Sequence, residues 1–143
     1  MLSTNFYLHF MGNTEEAMNF YKSVFGGEFE SFMRYSDVPG GEKMAAQDKG
    51  KIMHLSLPIA GNQMIMATDT LESMGRGVVF GNNYHISLEA ESEAEADNIF
   101  TALSAGGTIE APLNKTFWGA YFGMFTDKFG VQWMINYTYP KTQ

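Results

Sequence analysis

Apolar and polar residues alternate from Asn5 to Phe10. Phe6, Leu8 and Phe10 share one side and Asn5, Tyr7 and His9 the other, which predicts a strand with one buried face. The period then lengthens. Ala17, Phe20, Tyr21, Val24 and Phe25 recur at helical spacing, with Asn13 at the N-cap, Glu16 three residues on, and Gly26 as the stop. A second strand is predicted over 28–35. The polar stretch 36–51 that follows is too long for a hairpin turn, and loops of that length are often lids or partner-contacting arms. Two more strands, over 52–59 and 63–68, turn at Ala60-Gly61-Asn62.

The same order of features then returns. Residues 5–30 and 85–110 align at a fixed offset that places Leu8 on Leu88, Glu15 on Glu95, Phe20 on Phe100, Gly26-Gly27 on Gly106-Gly107 and Glu30 on Glu110. In the second copy Ser92 and Glu95 form an S-x-x-E capping box for a helix with Ala96, Ile99, Phe100 and Leu103 inward. A strand from Thr108 leads into two aromatic strands that turn at Asp127-Lys128-Phe129-Gly130, and the tail after Tyr139 reads as frayed. The pattern predicts a single α+β domain of two β-α-β-β-β modules. Module one covers about 1–69, a glycine-rich linker about 70–83, and module two about 84–143.

Composition narrows the function. Among 143 residues there is no cysteine, which excludes disulfides, thiolate nucleophiles and Cys-ligated metals. The net charge of −7, from 9 basic and 16 acidic residues without a basic stripe, argues against a nucleic-acid partner. No apolar run approaches the roughly 20 residues of a membrane span. The start MLSTNFYLHF lacks a basic n-region, so the expected location is the cytoplasm.

Three stretches carry a resemblance: YLHFMGNTEEAMNFYKSVFGGE at 7–28, IMHLSLPIAGNQMIMATD at 52–69 and FWGAYFGMFTDKFGVQWMINY at 117–137. Together they resemble the vicinal oxygen chelate superfamily, the glyoxalase, bleomycin-resistance and extradiol dioxygenase group, in its PhnB-like branch. The resemblance implies a glyoxalase-like fold in which curled mixed sheets surround a cup, completed in a homodimer. Sequences of this kind often carry a methyltransferase label. The chain has no glycine-rich loop after a strand to hold a methyl-donor nucleotide, so that activity is not expected.

In the metal-using members, a His and a Glu from each module chelate a divalent ion. Carried over by position, the histidine slots fall on Asn5 and His85, and the carboxylate slots on Met134 and on Met64 or Met66. A thioether is a soft, uncharged donor that does not replace carboxylate for Mg, Mn, Ni or Zn. No cofactor is therefore expected. A divalent metal retains room only at an atypical site built from His85, His9 and Asp69.

Pleat parity aims His9, His54 and His85 away from the helix-packed faces. His54, His85 and Glu89 are the candidate acid–base groups. Tyr7, His9, His54, Met64, Met66, His85, Trp118, Tyr121 and Met134 are the candidate ligand-lining residues. Met more often fills irregular core gaps, but on an inward face it also makes an adaptable apolar wall. Two functions remain open. One is a binding protein for a small, largely apolar or aromatic organic ligand, with the standard metal site lost. The other is a lyase, isomerase or dioxygenase-type enzyme that uses cavity histidines or an atypical metal.

Overall fold

The computed structural model describes residues 2–75 and 77–141. Arg76 of the predicted linker and the last two residues of the predicted frayed tail lie outside these. The chain divides into two compact units, Met1–Val79 and Phe80–Gln143.

The first unit holds β1 (Phe6–Phe10), α1 (Thr14–Phe25), β2 (Ser31–Arg34), the one-turn α2 (Ala46–Lys49), β3 (Ile52–Ala60) and β4 (Gln63–Asp69). Its sheet runs β1-β4-β3-β2. β1 pairs parallel to β4, from Phe6 opposite Ile65 to Phe10 opposite Asp69, and the remaining pairs are antiparallel. The second unit repeats the plan with β5 (Ile86–Glu89), α3 (Glu93–Ser104), β6 (Thr108–Lys115), β7 (Ala120–Thr126) and β8 (Gln132–Thr138). Its order is β5-β8-β7-β6, and β5 lies parallel to β8 from Ile86 opposite Trp133.

One expectation is corrected here. The sheets do not curl around a cup: each is an open four-stranded sheet, neither closed nor strongly curled. In each, the parallel first strand sits at one edge and the strand after the helix at the other, so the two ends of the sheet have no hydrogen-bonding route to each other.

Each sheet buries one face against its helix. In the first unit Ile65, Ala67, Leu55 and Leu57 are fully buried beside Ala17, Met18 and Tyr21 of α1. Each large side chain removed from water in this way stabilises by roughly 1.5–3 kcal/mol. The helix is rotated slightly from the predicted stripe. Met18 takes an inner place, while Phe20, Val24 and Phe25 are half-buried. In the second unit the core is Trp133, Phe125, Ile135 and Leu103. The buried indole N–H of Trp133 donates to Asp127 Oδ2 at 2.8 Å, and Asp127 Oδ1 accepts from the Phe129 and Val131 amides. The predicted turn is thus held by its own aspartate. Gly123 of β7 is required by packing, because a Cβ there would lie 2.7 Å from the Phe100 ring of α3.

The stretch 36–51 is folded against its own unit, with two turns of 3₁₀ helix and α2. Tyr35 is buried and donates to the Asp69 carbonyl at 2.8 Å, and Asp48 is buried with Lys51 3.2 Å away.

Candidate functional site

In both sheets the chemistry-bearing residues lie on the face turned away from the helix. Along β4, Ile65, Ala67 and Asp69 are buried towards the helix, while the intervening Met64, Met66 and Thr68 occupy the other face. On β1 the same alternation exposes Tyr7 and His9, and on β3 it places His54 and Ser56 beside them. Register makes the rows explicit. Tyr7 lies opposite Met66, which lies opposite Ser56; His9 lies opposite Thr68, and Met33 of β2 opposite His54.

Three rings meet on this face. Tyr7 sits between two imidazoles, with ring centroids 5.3 Å from His9 and 5.8 Å from His54. The Tyr7 hydroxyl and His54 Nδ1 share a hydrogen bond of 3.2 Å, in which the tautomer of the imidazole decides which of them donates. Burial, and then the neighbouring Tyr35, push the Tyr7 phenol above its ordinary ionisation range. It therefore stays protonated, and able to donate, at neutral pH.

The second unit's face is built differently. Ser87, Met134 and Met124 form one row, and Glu89, Asn136 and Phe122 the next. Trp118, in the turn between β6 and β7, lies edge-on to Phe122 with centroids 6.3 Å apart and to Phe117 at 5.0 Å. Glu89 accepts from Asn136 Nδ2 at 2.8 Å and from the Thr138 amide at 3.0 Å, so both carboxylate oxygens are engaged by β8. His85 precedes β5, and its Nε2 stands 3.4 Å from Glu110 Oε2. This nitrogen is buried and has no hydrogen-bond partner among the described residues. The other Glu110 oxygen accepts from the Thr126 hydroxyl at 3.0 Å.

Tyr121 stands apart from these groups. Its hydroxyl donates to Asp97 of α3 at 2.6 Å, on the helix side of the sheet, and that bond with burial raises its ionisation. Glu110, Thr126 and Met124 were not among the predicted site residues. Two register irregularities interrupt β6 on either side of Ala111, so alternation along the sequence does not assign Glu110 to a face.

The superfamily's divalent metal does not fit this donor set. By register Met66, opposite Tyr7, corresponds to Met134, opposite Ser87, so both carboxylate slots hold thioethers. The Asn5 side-chain oxygen already accepts from the Met64 amide at 3.1 Å. The room left for a divalent ion at His85, His9 and Asp69 is also corrected. Asp69 is buried on the helix face, where it accepts from the Gly12, Thr14 and Ile52 amides, whereas His9 lies on the opposite face. Among the described residues, no group of three or more His, Cys, Asp or Glu side chains is placed to hold a metal ion.

The chain matches known proteins along its length. A family model described as the Glyoxalase/Bleomycin resistance protein/Dioxygenase superfamily matches residues 5–135. The crystal structure of protein PA1353 from Pseudomonas aeruginosa is similar, with 40% identity, a TM-score of 0.84, and coverage of 96% of this chain and 98% of that one. A protein from Bacillus cereus described as a putative 3-demethylubiquinone-9 3-methyltransferase, PhnB protein, shares 30% identity at a TM-score of 0.77, over 96% and 100% of the two chains. Protein YjdN of Escherichia coli (strain K12) is 36% identical over 85 residues, or 59% of this chain and 55% of YjdN. The match therefore spans about half the length of that curated relative.

Proposed function

The chain belongs to the Glyoxalase/Bleomycin resistance protein/Dioxygenase superfamily, with PhnB-like relatives, and on that premise we propose that it binds a small, largely apolar or aromatic organic molecule without a divalent metal. The ligand lies against a helix-free sheet face, and each unit offers one. One observation carries the reading: Met66 and Met134 take equivalent register positions in the two units, where the metal-using members place carboxylates. A thioether exchanges a hard, charged donor for a polarisable apolar surface. Tyr7 on one face, and Phe122 with Trp118 on the other, add aromatic contact area. No Lys or Arg occupies the rows described, so a phosphorylated ligand gains no counter-charge. A thermal-shift screen tests this. Neutral aromatics should raise the melting temperature; stabilisation by sugar phosphates alone would refute the reading.

The protein acts in the cytoplasm as a homodimer. Support for the dimer comes from the edge strands, where Phe32 and Met33 of β2 are 41% and 36% exposed and Ile109 of β6 is 51% exposed. Light scattering should give about twice 16.0 kDa, and a monomer would count against it. Among the described residues no helix is long and apolar enough to cross a membrane.

A second reading, a lyase, isomerase or dioxygenase-type enzyme, draws on the buried His85 nitrogen beside Glu110. There the imidazole and carboxylate would exchange a substrate proton, and His54 on β3 is the first unit's own candidate acid–base group. Turnover of an enolisable carbonyl substrate that falls at least a hundredfold in His85→Ala would favour it; turnover unchanged in that variant would exclude it.

A further inference from the structure

The first unit's helix-free face carries no permanently charged side chain in its central rows. These run Tyr7 and His9 on β1, Met66 and Thr68 on β4, and His54 and Ser56 on β3. The nearby charges lie elsewhere: Arg34 and Glu15 bond each other beside α1, and Asp69 is turned to the helix. An anionic ligand on this face would lose hydration with no permanent cation to offset it. A wholly apolar ligand would cover the Tyr7 hydroxyl and return nothing to it. Tyr7 is 44% exposed, so its ring is open to contact while its hydroxyl is held in place by His54.

We propose that Tyr7, positioned by His54, selects an uncharged aromatic ligand bearing one hydroxyl or carbonyl oxygen, which the phenol hydrogen-bonds while the ligand's ring lies against Met66. A phenol has one proton to donate and two lone pairs to accept. When His54 Nδ1 is bare, Tyr7 donates to it and keeps a lone pair for a ligand O–H. When Nδ1 carries the proton, it donates to Tyr7 and frees the phenol proton for a ligand carbonyl. The pair therefore serves either oxygen by a change of tautomer, with no net charge moved. Thr68 is not a competing donor, since its hydroxyl is engaged by the Met53 carbonyl at 2.7 Å. The inference rests on the proposed binding function and names the ligand chemistry for one of its faces.

Isothermal titration of the protein with naphthol, methylnaphthalene and naphthoate separates the two claims. Naphthol should bind about tenfold tighter than methylnaphthalene, the difference of one well-made hydrogen bond. Naphthoate should bind about tenfold weaker than naphthol. In Tyr7→Phe the naphthol preference should vanish while methylnaphthalene affinity is kept, and His54→Phe should reduce the preference without removing it. A naphthol preference that survives Tyr7→Phe, or equal binding of naphthol and methylnaphthalene to the unaltered protein, overturns the selection by Tyr7 and leaves the binding function standing. If none of the three probes binds, both are overturned.

Discussion

The two units share one topology but secure their helices by different means. α3 is capped by its own neighbours: Ser92 Oγ accepts from the Glu95 amide at 3.0 Å, and Glu95 Oε1 accepts from the Glu91 amide at 2.9 Å. α1 is capped from 55 residues away, where Asp69 Oδ1 accepts from the Thr14 amide at 3.1 Å and from Gly12 at 2.8 Å. The second oxygen of Asp69 accepts from Ile52, so one buried carboxylate ties β1, α1, β3 and β4 together. The same repeat has thus placed a local, expendable cap in one half and a long-range structural node in the other. Their faces differ in the same sense. The first shows phenol and imidazole rings and hydroxyls, while the second carries two carboxylates, Glu89 and Glu110, both engaged within the unit.

Removing the two caps should separate these roles most sharply. Asp69→Ala leaves three backbone donors without a partner, those of Thr14 and Ile52 in a buried setting, so urea unfolding should show a loss of about 4 kcal/mol. Ser92→Ala should cost about 1 kcal/mol by the same assay. Equal losses would mean that Asp69 is only a cap.

Between those two falls a packing test of the second unit. Gly123→Ala forces the Phe100 ring or the β7 backbone to move and should cost about 2 kcal/mol in urea unfolding. A neutral result would show that α3 shifts freely on its sheet.

The smallest effect is electrostatic. Arg34 bonds both oxygens of Glu15 at 2.9 Å, and this hydrogen bonding holds the Glu15 carboxyl below its ordinary range. A lowered folded value means that the stabilisation is complete above the unfolded carboxylate range and is lost as pH falls through the folded value. The Glu15 side chain is 44% exposed, so solvent screening limits the pair to about 0.5 kcal/mol. Arg34→Gln should lower stability by about 0.5 kcal/mol at neutral pH and leave it nearly unchanged once pH falls below the folded Glu15 value, which flattens the acid limb. A larger effect at acid pH than at neutral pH would contradict the sign.

These contrasts also mark what the sequence carries. The N-cap of α3 is legible because Ser92 and Glu95 lie three residues apart and Ser92 Oγ accepts from the Glu95 amide. The Glu95 carboxylate closes on the Glu91 amide and not on that of Ser92, so the box itself is only half made. Asn13 has the right side chain for α1, but its φ of −117° and ψ of 21° keep it from capping, and the group that replaces it is distant in sequence. Alternation places Tyr7, His9, His54 and Met66 on one face because β1 and β4 pair without interruption. It loses Glu110, because β6 is irregular on both sides of Ala111. The repeat reveals two modules through their order of elements. It carries no signal of curvature, and the expected cup is replaced by two open sheets. Residue type alone argues against the standard metal site, since thioethers in both carboxylate slots need no geometry to be poor ligands for a divalent ion.

The central claim is that the faces take an uncharged organic ligand through side chains alone. Titration of naphthol into protein treated with EDTA tests it most directly. Binding should be saturable with the same Kd before and after chelation, with no gain on adding Mn, Ni or Zn. Binding lost with EDTA and restored by a stoichiometric divalent metal would contradict it.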